Sequence, residues 1–468
     1  MVRQFLGESL LYTATALLLS LIMARLLLSP FNQLIGREIP FFPDQGFLIY
    51  GIFLLAVLLT GLLAGSYPAL VLSGFQTIRI IKGSFSQSKE GVWFRRSLVF
   101  LQFTISISLI VGTAVVYGQL NYVKNKHLGF QKEQLVVFGL PPDTLLSRRV
   151  QSLADELRQQ QGVVSVALAN SVPSIGFQVS PIAREGDPRD KNTVASIVTC
   201  DEHYLPTLGI ELVQGRNFLP NSRQDAAESF IVNEAAVNVL NLEEPVGKRI
   251  EWRGGAEPRV GTIVGVVKDF HSQSLHTPIM PMVWYMDSSQ LGLFAVRIAP
   301  GDIQESLKRM DNVWHRFAPD WPFDYTFIDE SFSKLYESEA RTAGMFGVFA
   351  GLAVFVACLG LFGLAAFATE QRTREIGIRK VLGAHPSVLV TLLTGDFLKP
   401  VLLANVVALP LAGWIMDKWM ADFAYRAGLQ LWVFAASAVL VLLIALLTVS
   451  LHTLKAALAN PVKSLKIE

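Results

Sequence analysis

The sequence predicts a multi-span α-helical membrane protein that displays one sizeable α+β domain outside the bilayer. Three observations carry this. Residues 45–78, 97–123, 342–369 and 427–451 contain no charged side chain, and the shorter runs 9–24 and 400–416 are also charge-free. A spanning helix needs roughly 20 apolar residues. Between the third and fourth runs lies a long block, 124–335, of mixed polar and apolar sequence with strand-like segments. Hydrophobic residues make up 51% of the chain and charged residues 17%, both displaced from soluble averages toward membrane composition.

Each element follows in order. Spans are expected at about 8–29 and 47–74, then 97–123, 342–369, 397–417 and 429–452. The first run has no small-residue cleavage site and is followed by five more, so it reads as a retained span rather than a leader. Lys and Arg near the span ends set the orientation. Arg79, Lys82, Lys89, Arg95 and Arg96 occupy one connection, Arg372, Arg374, Arg379, Lys380 and Lys399 another, and Lys455, Lys463 and Lys466 the tail. The connections 30–46 and 417–428 are poorer in cations. Both termini are therefore expected in the cytoplasm and the large block outside. Arg25 is the exception and is expected to snorkel to the headgroups. The net charge of +2 gives no global field for nucleic acid. The two cysteines, Cys200 in the block and Cys358 in a span, form no disulfide framework.

Within the block, 144–160 places Leu145, Val150, Leu153 and Leu157 at helical spacing, with Gly162 as a stop. Strands are expected at 134–138, 163–168, 195–199, 261–267 and 293–298, and 230–240 opens as a strand and closes as a helix. This pattern reads as α+β in two lobes. Asp269, His271 and His276, with Ser272 and Ser274 between them, are close enough to suggest a metal or hydrolytic site. Their spacing matches no specific ligand pattern, and a polar turn after a strand explains them. Asp201 and His203 read as turn residues too. No catalytic residue, metal ligand or cofactor site is expected.

The two ends of the chain resemble each other. Leu70, Ile78, Arg79, Ile81 and Lys82 align with Leu454, Val462, Lys463, Leu465 and Lys466, and Gly7–Leu10 with Gly395–Leu398. Residues 1–84 therefore read as a partial first unit, a second copy of 392–468 without its own outer domain. Residues 85–96 are the expected cytoplasmic linker, and 336–468 the second unit. From Asp329 to Thr369 no proline intervenes, so one long helix is expected, its charged start (Glu330, Lys334, Glu337, Glu339, Arg341) standing above the membrane as a stalk. Gly347 and Gly351 form a GxxxG in it, with Gly344 one turn earlier, candidates for close helix packing. The stretch EQRTREIGIRKVLGA, 370–384, follows directly. Its cations suit a juxtamembrane cap on anionic lipid. Ile376, Val381 and Leu382 would also suit a helix docking a cytoplasmic partner. Residue chemistry alone leaves both open.

EQRTREIGIRKVLGA, with NPVKSLK near the C-terminus, resembles the FtsX-like permease domain of MacB-type ABC transporters. In the outer block HYLPTLGIELVQGRNF (203–218), IVNEAA (231–236), PVGK (245–248) and GTIVGVVKDFH (261–271) resemble the MacB-type periplasmic domain. The motifs occur in order along essentially the whole chain, which departs from the long two-unit permeases by lacking the first unit's opening span, outer domain and second span. The resemblance implies a multi-pass permease subunit of the inner (plasma) membrane that is not itself an enzyme. A cytoplasmic ABC ATPase would drive it, and its motion would pass through the stalk to the periplasmic domain for export of a substrate. It implies ATPase coupling through Arg372, Arg374, Glu375, Ile376, Gly377, Arg379, Lys380 and Gly383. The expected partners are that ATPase, membrane lipids, and a second copy or second permease half, with no nucleic acid. No GxxxxGK[ST] loop occurs, so the ATPase is expected on another chain. A membrane-anchored extracytoplasmic sensor is the alternative, but no cytoplasmic segment has the size of an output domain.

Overall fold

The computed structural model describes residues 2–41, 46–73, 89–141, 146, 148–188, 190, 192–254, 258–371, 378–379, 382 and 386–458. The chain forms two compact units, one of residues 1–117, 339–417 and 429–468, the other of 118–338 and 418–428.

The first unit is helical. It contains α1 (Val2–Ile35), α2 (Phe47–Ser73), most of α3 (Lys89–Asn125), and the three last long helices of the chain (337–371, 386–420 and 431–458). Among the described residues, Leu6–Ile35, Arg96–Asn125, Glu337–Ala366, Phe397–Met420 and Leu431–Ser450 are long and apolar enough to cross a membrane. Phe47–Leu63 is a shorter apolar stretch within α2. Small residues let α1 and α2 approach closely. Ser9 Oγ donates to the Gly61 carbonyl at 2.9 Å, and a Cβ added to Gly65 would lie 2.9 Å from Ser9 Cβ. The aligned positions from Leu70 to Lys82 and from Leu454 to Lys466 differ by 384 (Leu454 minus Leu70). That offset carries the start of α2 at Phe47 onto residue 431, where the last helix, Leu431–Leu458, begins.

Among the described residues the second unit holds the strands: β1 (Leu135–Gly139), β2 (Val163–Ala169), β3 (Gln178–Arg184), β4 (Thr193–Thr199), β5 (Leu212–Gly215), β6 (Ser229–Asn233), β7 (Arg249–Trp252), β8 (Arg259–Val267), β9 (Met282–Tyr285), β10 (Leu293–Ile298) and β11 (Tyr325–Phe327). Its main helices are α4 (Val150–Arg158), α5 (Tyr204–Leu208), α6 (Arg223–Glu228), α7 (Glu234–Val239), α8 (Ile303–Phe317) and α9 (Ile328–Lys334). The sequence-predicted strands and the strand-to-helix switch at 230–240 all appear, with ends displaced by a few residues. The helix expected over 144–160 is described from Val150, and 142–145 lie outside the described residues.

Two sheets make the two lobes. One is antiparallel in the order β11-β1-β10-β2. Because strand side chains alternate, Val136, Phe138, Val166, Leu168, Phe294 and Val296 point to one face, where they pack with Leu153 and Leu157 of α4 and Met310 and Trp314 of α8. Leu135, Val137, Ala167, Ala169 and Ala295 point the other way and join Tyr204, Leu208, Phe270 and Trp284 in a core shared between the lobes. The other sheet runs β5-β8-β6-β9-β4-β3-β7, and β7 also pairs with β8. It therefore closes on itself around Ile182, Ile197, Phe230, Val232, Ile263 and Val283, with β5 added outside at β8. Closure removes the unpaired edges of the ring strands.

The expected unbroken helix from Asp329 to Thr369 is corrected. α9 ends at Lys334, Leu335 and Tyr336 form a turn, and α10 starts at Glu337 and runs to Gln371. Helix-permissive sequence is overridden by burial. Phe332 and Tyr336 are drawn into the unit's interior, and Tyr336 Oη accepts the Leu275 N–H at 2.7 Å. At ~1.5 Å per residue α10 is still about 52 Å long. The last two helices are α11 (Pro386–Met420) and α12 (Leu431–Leu458).

Candidate functional site

The coupling segment, 370–384, is described at 370–371, the end of α10, and at 378, 379 and 382. Arg372, Arg374, Glu375, Ile376, Gly377, Lys380 and Gly383 lie outside the described residues. Ile378 and Arg379 are helical, and the Leu382 N–H donates to the Ile378 carbonyl at 3.0 Å. Ile378 and Leu382 are one helical turn apart and both exposed.

The three glycines of α10 meet different surroundings. A Cβ added to Gly344 would lie 2.7 Å from Leu34 Cδ1 of α1, one on Gly347 3.7 Å from Thr113 Cγ2 of α3, and one on Gly351 would meet nothing within 4 Å. Gly344 thus sits at a close helix contact and Gly351 at an open face. Ala343, Ala350, Ala357, Leu361 and Ala365 form the buried stripe of the same helix.

The motif residues of the strand-rich unit turn out to hold its frame. Asp269 Oδ1 accepts from Asn233 Nδ2 at 2.8 Å and from the Ala235 N–H at 2.9 Å, while Glu234 accepts the Asp269 N–H at 3.0 Å. Asn233 Oδ1 also caps α7 through the Ala236 N–H and takes the Met282 N–H. The IVNEAA and GVVKDFH stretches are therefore two sides of one buried network. Burial pushes the Asp269 carboxyl upward against these bonds. Arg216 grips Asp225 through both terminal nitrogens, at 2.7 and 2.8 Å. Gly209, at φ +67°, ends α5, and the PVGK backbone pairs with Ile263. Arg297 ties the lobes together by donating to the carbonyls of Thr207, Gln131 and Glu133 at 2.7–2.8 Å.

Asp201 stands apart electrostatically. Burial lifts its carboxyl to about 7, opposed by Arg158, whose Nη2 lies 3.3 Å from Oδ2. The His203 N–H donates to its other oxygen at 3.2 Å. Cys200 beside it is buried and its thiol is raised well above the ordinary range.

His271 and His276 belong to an aromatic collar. His276 stacks on Phe423 with ring centroids 3.9 Å apart and on Tyr336 at 6.1 Å, and its Nδ1 pairs with Ser274 Oγ at 2.6 Å. His271 meets Tyr425 edge-to-face at 4.4 Å. Burial, with Lys126 nearby, lowers the His271 imidazole to about 4, so it is neutral at physiological pH. Lys126 Nζ bonds Tyr122 Oη at 2.9 Å and lies 4.3 Å over the Tyr425 ring. Among the described residues no group of three His, Cys, Asp or Glu is placed to hold a metal ion. The chemistry of this cluster is packing and hydrogen bonding.

Phe423 and Tyr425 come from the turn between α11 and α12, and the collar was not visible in sequence. The one signal was FAYRAG, an aromatic run in a short connection between two apolar helices. Its backbone is bonded on both sides. The Ala424 and Tyr425 N–H groups donate to the His276 and Leu275 carbonyls, each at 3.3 Å. Gln119 of α3, 1% exposed, donates to the Tyr425 carbonyl at 3.0 Å and accepts the Ala427 N–H at 2.8 Å.

Comparison with known proteins finds two family domains along the chain. Residues 104–311 match the MacB-like periplasmic core domain and residues 347–461 the FtsX-like permease C-terminal domain. The macrolide export ATP-binding/permease protein MacB of Bartonella quintana (strain Toulouse) is 26% identical over 209 residues, 41% of this chain. The chain spans only 30% of that relative's length. The uncharacterized ABC transporter permease YknZ of Bacillus subtilis (strain 168) is 20% identical over 385 residues, 80% of this chain and 95% of YknZ. The crystal structure of the periplasmic region of MacB from Actinobacillus actinomycetemcomitans superposes with a TM-score of 0.32 at 16% identity, covering 45% of this chain and 97% of that one. With a MacB-like periplasmic core and an FtsX-like permease domain in one chain, joined to helices apolar enough to span a membrane, this protein belongs to the MacB/FtsX-like ABC transporter permeases.

Proposed function

We propose that the chain is the permease subunit of an ABC transporter and passes ATP-driven motion from a cytoplasmic ATPase to its extracytoplasmic domain to extrude a substrate. The observation that carries this reading is the pairing of the two family domains on one chain, the periplasmic core lying between apolar helices in sequence. No phosphate-binding GxxxxGK[ST] loop lies within the 468 residues, so hydrolysis is assigned to a partner. The partner docks on 370–384, where exposed Ile378 and Leu382 offer an apolar pair and the flanking cations offer charge. The termini face the cytoplasm and the strand-rich unit the outside. A second stalk-bearing permease unit, another copy of this chain or a different one, completes the assembly. The lipid-accessible face of α10, with Phe349, Leu352, Phe355 and Leu359 exposed beside Gly351, is available to it.

The test is Arg374→Ala, Glu375→Ala and Arg379→Ala together, in the transporter assembled with its ATPase. Insertion and folding should be unchanged while stimulation of ATP hydrolysis by the permease is lost. Undiminished stimulation would make the segment a lipid-facing cap.

A further inference from the structure

Three crossings of the chain lead from apolar helices into the strand-rich unit: the end of α3, the α9–α10 turn, and the connector between α11 and α12. A turn that merely joined two helices would need a few polar residues in solvent. This one is built differently. Met420 and Phe423 are buried at its start, and Trp419 packs against Phe423 with centroids 5.1 Å apart. A single chain of hydrogen bonds then runs through all three crossings. Tyr336 Oη, just before α10, accepts the Leu275 N–H. The Leu275 carbonyl accepts the Tyr425 N–H, and the Tyr425 carbonyl accepts from Gln119 of α3. Gln119 spends both ends of its amide on connector backbone, and a buried glutamine so used is costly to leave half-satisfied.

Resting on the permease reading, we infer that the α11–α12 connector is a third mechanical attachment of the extracytoplasmic domain. Phe423 and Tyr425 fasten it to the 271–276 loop, and Gln119 fastens it to α3. Because the connector is held by its backbone as well as by its rings, α11 and α12 cannot shift against α3 and α10 without either breaking this chain of bonds or carrying the domain with them. The connector is then a working lever, and Phe423, Tyr425 and Gln119 are positioning residues.

The experiment uses the full chain assembled with its ATPase in nanodiscs. Spin labels on exposed positions of the domain and of the α11 surface report the distance change on adding ATP, and hydrolysis is measured in parallel. Two variants are compared with wild type: Phe423→Ala with Tyr425→Ala, and Gln119→Leu, which keeps every ring contact and removes only the amide bonds. The inference expects the ATP-dependent distance change to be lost in the first. The second should weaken it, with permease-stimulated hydrolysis down about tenfold, the scale of two lost buried hydrogen bonds. Protease resistance of the domain should persist in both. Should the double variant fail to fold, Gln119→Leu decides alone. A full distance change in folded variants overturns the lever and leaves the permease reading standing. Absence of any ATP response in wild type overturns the permease reading, and the lever with it.

Discussion

Removing the carboxylate of Asp225 should loosen the closed sheet by an amount that can be worked out bond by bond. Its side chain is 2% exposed. It accepts from Arg216 at 2.7 and 2.8 Å, from the Leu219 N–H at 2.8 Å and from the Ser229 hydroxyl at 2.8 Å. Asp225→Ala leaves the Leu219 N–H and the Ser229 hydroxyl without their acceptor, at about 1–3 kcal/mol for each buried group stranded. Arg216 is 45% exposed, so water recovers most of its loss and its share is small. The sum is about 3 kcal/mol, or roughly 100-fold in the opening equilibrium at 1.4 kcal/mol per decade. Amide exchange of the full chain in nanodiscs at neutral pH reads this at 217–222 and β6. The Arg216 guanidinium holds the Asp225 carboxyl down at about 2. Since the folded value lies below the unfolded one, the stabilisation is complete above about pH 4 and is lost as pH falls toward 2. The gap between wild type and variant should narrow over that interval. Protection within threefold of wild type at neutral pH would refute the reasoning, and Arg216 would then be free for another role.

Two further outcomes follow from the same structure. Asp201 is raised to about 7, so the folded state keeps a proton that the unfolded state releases from about pH 4, and stability falls between those values. Exchange of β2 and β4 amides, corrected for intrinsic rate, should show a loss of about 2 kcal/mol from pH 5 to 7, the slope of about 1.4 kcal/mol per unit falling off as the folded carboxyl half-ionises. Asp201→Asn should flatten that slope. In the helical unit, Gly344→Val should disrupt packing of α10 on Leu34, whereas Gly351→Val should not, because only the former meets a neighbour. Cysteine cross-linking between α1 and α10 measures this, and equal effects at the two positions would contradict the geometry.

The apolar helices were legible because a bilayer imposes a length and a composition that few other environments share. The strands of the outer block were legible where β-rich runs lay between turns, as at 261–267 and 293–298. Local pattern failed at 329–369. Nothing in that stretch forbids one helix, and the break at Leu335–Tyr336 comes from a distant partner, the Leu275 amide, and from a core that takes in Phe332. The histidines of 271–276 could be seen as unusual but not assigned. Their neighbours Phe423 and Tyr425 lie roughly 150 residues further along, and no spacing rule connects them. The coupling segment remains a reading of sequence, since most of it lies outside the described residues.

What the amino-acid order determined by itself is therefore periodic or compositional: where apolar helices run, which connections carry cations, which runs pair as strands, and the motif resemblance that names the family. The tertiary structure decided the rest: that the second sheet closes through β7 and β8, that IVNEAA and GVVKDFH share one buried network, and that the α11–α12 connector is bonded to the domain. The physical reason is range. Helix and strand propensity and bilayer burial act over a few residues and leave a repeating trace. A buried amide such as Gln119 finds its partners 306 and 308 residues away, and only the folded chain brings them within hydrogen-bond distance.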